Sequence, residues 1–225
     1  MIKLSKRLET IANFIDNKDR VLDVGCDHAL LDIYIVKKNK GCFCIASDLT
    51  PKSLEPAKIN IEKYGLSNFI DVRYGDGLNV LNLSDKVNTV VISGMGYQKI
   101  IKILKDGKNN LKNIEKLIIQ SNTFPKKIRK YLISIGYYIY EEKLVKENNI
   151  IYTIIIFKPG NKKYNKTELE LGPILLKIRD HLFNELLDVE IKKNTILLNV
   201  IPRKYFIKRF KLYMELKMLL NEKSS

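Results

Sequence analysis

Three short segments hold side chains able to do chemistry. Val21-Leu22-Asp23-Val24-Gly25-Cys26-Asp27-His28 sets two carboxylates, a thiol and an imidazole around one glycine. Asp48-Leu49 follows, and Tyr74-Gly75-Asp76-Gly77 places another carboxylate between two glycines. A turn that cradles a pyrophosphate uses three glycines, so that backbone can approach the phosphates. A single glycine suits a ligand without phosphates, and the neighbouring acids favour a cationic one. The sulfonium and ammonium groups of S-adenosylmethionine meet both conditions. Asp48 can accept both hydroxyls of a ribose, or it can cap the helix that Pro51 begins. Asp76 can accept from an adenine amino group, or its segment can be a plain turn.

Two more segments end in polar chemistry. Ser93-Gly94-Met95-Gly96-Tyr97 offers two glycines and a flexible apolar side chain. Ile119-Gln120-Ser121-Asn122 offers a carboxamide pair suited to the edge of an adenine, with Ser121 read as turn chemistry before Pro125. His28 alone reads as a capping or packing residue, and His181 receives no role. Cys26, Cys42 and Cys44 match neither a disulfide framework nor a zinc spacing. They read as reduced packing residues, and no metal site is expected.

The elements that must position these groups alternate. An amphipathic helix covers residues 4–15. Strand signals at residues 20–24, 42–47, 69–73, 89–92 and 116–119 are separated by helices from Asp27 to Val36, from Pro51 to Tyr64, over 97–104 and over 125–135. Such alternation implies a parallel sheet covered on both faces. Residues 137–145 and 150–157 then read as a hairpin, giving seven strands with an antiparallel edge. Gly25, Asp48 and Asp76 fall at the carboxyl ends of strands one to three, where open α/β sheets bind ligands. Lys158-Pro159-Gly160 breaks the pattern. Beyond it, one helix from Gly172-Pro173 and another after Pro202 read as an antiparallel pair. The expected organisation is a Rossmann-like α/β domain over 1–159 and a helical, coiled-coil extension over 160–225.

The chain has 225 residues, a net charge of +15 and 45% hydrophobic residues, which excludes disorder. Its longest apolar runs, such as Ile154-Ile155-Ile156-Phe157, fall far short of the roughly 20 residues that span a bilayer. The first ten residues lack an apolar signal core, so a cytoplasmic location is expected and no membrane association. The 33 Lys against 7 Arg, with 31 Ile and 20 Asn, reflect A/T-rich codon usage as well as function. The surplus of positive charge still attracts polyanions.

Together, Leu4-Ser5-Lys6-Arg7-Leu8, Asp23-Val24-Gly25-Cys26-Asp27-His28-Ala29, Gly75-Asp76-Gly77-Leu78, Gly94-Met95-Gly96 and Gln120-Ser121-Asn122 make the chain similar to the bacterial tRNA (adenine-N1)-methyltransferases that modify position 22. The resemblance spans nearly the whole chain. Where that family often has Tyr-Leu-Pro after Asp-His-Ala, this chain has Leu30-Leu31-Asp32; Tyr97 stands for a second Gly, and Ser121 for Pro. The resemblance implies a seven-stranded Rossmann-like class I methyltransferase sheet with a C-terminal coiled coil. It also implies S-adenosyl-L-methionine held by Asp23, Gly25, Cys26, Asp27, His28, Asp48, Leu49, Asp76, Gly77, Gly94, Met95 and Gly96. Asp27 is the candidate for stabilising the developing cation, with Gln120 and Asn122 orienting the base; Asp27 equally suits cofactor binding or helix capping. Lys3, Lys6, Arg7, Lys126, Lys127, Arg129 and Lys130 are candidate phosphate contacts for tRNA. No obligate protein partner is evident. A methyltransferase acting on another RNA or DNA base, such as adenine N6, and a non-catalytic RNA-binding module are the competing readings.

Overall fold

The computed structural model describes residues 2–39 and 41–224. It divides into two units, Met1–Tyr164 and Asn165–Ser225. The division falls later than residue 159 because Tyr164 still belongs to the sheet: its hydroxyl accepts the Ile139 N–H at 3.0 Å.

In the first unit α1 (Lys6–Ala12) precedes β1 (Arg20–Val24), α2 (Leu30–Lys38), β2 (Phe43–Asp48), α3 (Pro51–Lys63) and β3 (Ile70–Tyr74). Then come β4 (Thr89–Met95), α4 (Tyr97–Asp106), β5 (Lys116–Ser121), α5 (Pro125–Ser134), β6 (Tyr137–Glu147) and β7 (Ile150–Pro159). The strands form one seven-stranded sheet in the order β3-β2-β1-β4-β5-β7-β6. β1 to β5 are parallel, while β7 runs antiparallel to both β5 and β6. The order reverses direction between β1 and β4, and a crevice opens at such a point beyond the carboxyl ends of the strands. Every residue of β5 is buried, as a strand covered on both faces requires.

Several local expectations give way to better-placed side chains. α1 starts at Lys6 because the Ser5 hydroxyl accepts the Leu8 N–H and caps it. The helix expected from Asp27 starts at Leu30. Asp27 and Ala29 both have positive φ, 50° and 52°, and the cap position falls on Ala29 with no side-chain bond. Asp27 therefore caps nothing. The cap of α3 is Thr50, whose hydroxyl accepts the Ser53 N–H at 3.2 Å, so Asp48 is released from that duty.

In the second unit the expected pair is four helices: α6 (Lys166–Leu171), α7 (Pro173–Ile178), α8 (His181–Val200) and α9 (Phe206–Ser224). The helix begun at Pro173 breaks because Arg179 takes a left-handed φ of 46° and Asp180 restarts the chain, accepting the Phe183 N–H at 2.9 Å. α8 and α9 form the antiparallel pair, tied near one end by Arg209 to the Ile201 carbonyl at 2.6 Å and near the other by Lys223 to Asp188 at 2.8 Å. Among the described residues no helix is long and apolar enough to cross a membrane.

Arg129 corrects a further expectation. It lies on α5 but is 1% exposed, and its Nε donates to the Glu142 carboxylate of β6 at 2.7 Å. The guanidinium holds the helix to the sheet and does not face a phosphate. Arg129→Ala would leave the Glu142 charge without this partner where water does not reach, at a cost of about 3–5 kcal/mol. Thermal unfolding should show a large fall in Tm; an unchanged Tm would contradict the buried pair.

Candidate cofactor and base site

The crevice at the reversal point is walled by Val24 and Gly25 of β1 and its turn, Ser47, Asp48 and Leu49 after β2, Gly75, Asp76 and Gly77 after β3, and Met95, Lys99 and Ile103 from β4 and α4. The turn after β1 is pinned to β2, since the N–H groups of Gly25 and Cys26 both donate to the Ser47 carbonyl, at 2.8 and 3.1 Å. Gly25 has φ of 81°, and a Cβ there would sit 2.4 Å from the terminal methyl of Met95. Met95 thus closes over the turn, and glycine is the residue that adopts this left-handed φ without strain. A Cβ on Gly77, φ 57°, would meet Ile103 at 2.7 Å. Asp48 lends one carboxylate oxygen to the Thr50 N–H at 3.2 Å and keeps acceptor capacity at the crevice. Lys99 and Ile103 were not singled out from the sequence. They lie one turn apart on α4, and that spacing carries no mark of a ligand wall until the helix is placed.

The remaining acids separate. Asp27 is exposed beside His28, with 3.7 Å between its carboxylate and the imidazole Nε2. Neither residue lies on the crevice wall. Asp23 is 3% exposed and stands behind the turn, so the expectation that it touches the cofactor directly is corrected. Asp23 is near enough to Asp32, which is fully buried on α2, for each carboxyl to feel the other's charge. Neither Asp32 side-chain oxygen has a hydrogen-bond partner among the described residues, so a negative charge there is costly and the protonated carboxyl is favoured. Burial, with the charge of Asp48 adding to it, pushes Asp23 up to about 7. Burial and the facing Asp23 hold Asp32 well above the usual carboxylate range. Cys26 is also buried, and burial pushes its thiol upward, which makes it a packing group and not a nucleophile.

A bulge shapes the other side of the site. The β4–β5 register shifts between Ile92 and Met95, and Gly94 takes φ of 75°. The Gln120 side-chain oxygen accepts the freed Gly94 N–H at 2.9 Å and an Arg7 Nη1–H at 2.7 Å. The Gln120 amide donates to Asn122 at 3.0 Å, and the Asn122 amide donates to the Gly94 carbonyl at 2.7 Å. Gln120 is 0% exposed, so it cannot meet a base edge. The expected contact becomes a positioning role, while Asn122 remains exposed with hydrogen-bonding capacity to spare. Arg7 changes role for the same reason: beyond Gln120 it lies 3.7 Å from Glu147 and over the Tyr152 ring at 5.4 Å. It belongs to the site and not to a solvated basic face. Lys3, Lys6, Lys127 and Lys130 are exposed, and Lys126 is half-buried.

The sequence pattern of the tRNA (adenine(22)-N(1))-methyltransferases matches residues 21–222. The chain belongs to this family. It is 35% identical over 188 residues to the tRNA (adenine(22)-N(1))-methyltransferase of Bacillus subtilis, covering 81% of this chain and 79% of that protein. The structure of M. capricolum TrmK in complex with S-adenosyl-homocysteine superposes with a TM-score of 0.88 at 31% identity, covering 98% of each chain. Streptococcus pneumoniae Sp1610 in complex with S-adenosyl-L-methionine gives 0.90 at 30% identity, covering 98% of this chain and 100% of that one. This chain is therefore an S-adenosylmethionine-dependent methyltransferase of the tRNA-modifying kind, with the seven-stranded Rossmann-like sheet and helical C-terminal region expected from its sequence.

The crevice of this methyltransferase fits such a cofactor on its own evidence. A glycine turn without a phosphate cradle faces two carboxylates, and a thioether closes over the turn. The acid pair behind the turn generates a pH dependence. Asp23 and Asp32 hold their protons more tightly in the folded chain than in the unfolded one, so folding takes up protons above pH 3.8, and for Asp23 up to about 7. The pair's contribution to stability falls as pH rises through that window. Asp32→Asn removes one of the two buried acids and has no proton to lose. Its Tm should match wild type near pH 4 and exceed it at pH 8 by roughly 2 °C or more. A gap independent of pH, or of opposite sign, would contradict the raised proton affinity of the two buried acids.

Proposed function

We propose that the protein transfers the methyl group of S-adenosylmethionine to N1 of the adenine at position 22 of tRNA. The observation that carries this reading is the crevice at the sheet's reversal point in a chain of this family, with Asp48 and Asp76 on its wall and Asn122 exposed beside it. Asp48 would hold the ribose, Asp76 the adenine amino group, and Gly25, Leu49, Gly77 and Met95 the intervening surface. The bound cofactor supplies an electrophilic methyl on a sulfonium.

Adenine N1 has an in-plane lone pair, so it needs no base to remove a proton before attack. The protein's task is to place N1 in line with the methyl, which can be worth about 7–11 kcal/mol. Asn122, fixed through Gln120, orients the base edge. Asp27 stabilises the positive charge that grows on the ring and accepts the amino proton afterwards. N1 is a pairing-edge atom, so the nucleotide must be presented unpaired or flipped. Lys3, Lys6, Lys126, Lys127 and Lys130 supply phosphate contacts, and the Asn165–Ser225 unit clamps the tRNA body. The reaction takes place in the cytoplasm.

Incubation with labelled cofactor and unmodified bacterial tRNA, followed by digestion and mass spectrometry, should yield 1-methyladenosine at position 22. N6-methyladenosine would overturn the assignment of the base atom. Asp48→Ala should weaken S-adenosylmethionine binding about ten- to hundredfold in calorimetry, the loss expected for charged hydrogen bonds. Unchanged affinity would remove Asp48 from the site.

A further inference from the structure

Phe124 has no part in the chemistry above, yet its placement is costly. It is 50% exposed, and its backbone is left-handed with φ 46° and ψ 59°. A bulky residue there, immediately before a proline, is strained by about 1–3 kcal/mol. A strained position thus holds a large ring that is half open to solvent. The ring stands against Tyr97 in an edge-to-face pair, with centroids 5.5 Å apart and planes at 84°. Both residues grow from the strand ends that the Gln120 network fastens. Tyr97 follows Gly96 directly, and its N–H donates to the Thr123 hydroxyl at 3.2 Å, one residue before Phe124. Phe124 in turn lies two residues beyond Asn122, whose amide holds Gly94.

We propose that the Phe124 ring, braced by Tyr97, is the platform on which the target adenine stacks. This rests on the reading of the protein as an adenine methyltransferase and adds the subsite for its substrate base. A base taken out of its helix loses its stacking neighbours, and an exposed aromatic face replaces them without regard to sequence. Phe carries no hydrogen-bonding group, so it selects a flat ring and leaves the choice of atom to Asn122. A second gain comes with reaction: the methylated ring is cationic, and a π face attracts a cation more than a neutral ring. The stacking contact therefore strengthens toward the transition state, which raises turnover as well as affinity.

The test compares Phe124→Leu and Phe124→Ala with Phe124→Tyr and Phe124→Trp in the full-length protein. The Leu and Ala variants should lose roughly tenfold or more in kcat/KM for tRNA methylation, with kcat sharing the loss. The Tyr and Trp variants should stay near wild type, and S-adenosylmethionine affinity should hold in all four, showing an intact crevice. A tRNA with 2-aminopurine at the target position gives a readout independent of turnover. Its fluorescence should change on binding wild type and the Tyr variant, and not on binding the Leu variant. Wild-type kcat/KM in the Leu variant would overturn the platform and leave the methyltransferase reading untouched. A wild-type protein that makes no 1-methyladenosine would overturn that reading, and the platform with it.

Discussion

A backbone N–H that leaves a β-ladder must find another acceptor, and in this protein one side chain supplies it. The bulge at the end of β4 turns Gly94 out of register, and Gln120 of β5 takes up its N–H. The same oxygen accepts from Arg7, and the same amide orders Asn122. Three stretches far apart in sequence, namely α1, the end of β4 and the end of β5, thereby share one fully buried carboxamide. Leaving any of those donors unmet inside the protein would cost about 1–3 kcal/mol, so the groups keep one arrangement. The crevice wall at Met95, the exposed amide of Asn122 and the aromatic pair beyond them all take their places from this point.

Electrostatics follows a similar division between front and back. Asp48 and Asp76 keep acceptor capacity at the crevice, while Asp23 and Asp32 are buried behind the turn, where each disfavours a charge on the other. Burial favours their protonated forms, which lowers the charge held in the layer between β1 and α2. Positive charge divides too. Lys3, Lys6, Lys127 and Lys130 lie on the surface, whereas Arg129 and Arg7 are taken inward by Glu142 and Gln120, and Lys116 by Asp16 and Asp19. A planar guanidinium with several fixed donors suits such sites better than an ammonium does.

Much of this was legible in the sequence for physical reasons. Alternation of apolar runs with capped helical stretches gives the sheet and its antiparallel edge, and glycine at three strand ends marks the crevice. That Asp48 and Asp76 line the crevice is legible because a carboxylate after a parallel strand faces the ligand side of the sheet. Local capping was less legible: Thr50 took the cap that Asp48 was equally able to fill, since polar residues near a helix start compete on small energy differences, and α2 starts after Ala29 with no side-chain cap at all. Least legible was tertiary burial of polar groups. Nothing in Pro125-Lys126-Lys127-Ile128-Arg129 says that Glu142 lies opposite Arg129. A lone Gln after Leu117-Ile118-Ile119 signals a buried amide, but its partners depend on a bulge that the sequence does not announce. Tail helices broke at Arg179 because Asp180 offers a second cap inside an otherwise continuous apolar stripe.

The central claim is that Arg7 and Gln120 act on the chemistry as one unit, by holding the ends of β4 and β5. A double-mutant cycle with Arg7→Ala, Gln120→Ala and the double variant tests it most directly, read as the single-turnover rate of tRNA methylation at saturating cofactor and tRNA. The account predicts strong non-additivity, with the double variant little slower than the worse single variant and a coupling of about 0.5–3 kcal/mol. Losses that simply add would mean that the two residues serve the reaction separately and would contradict the account.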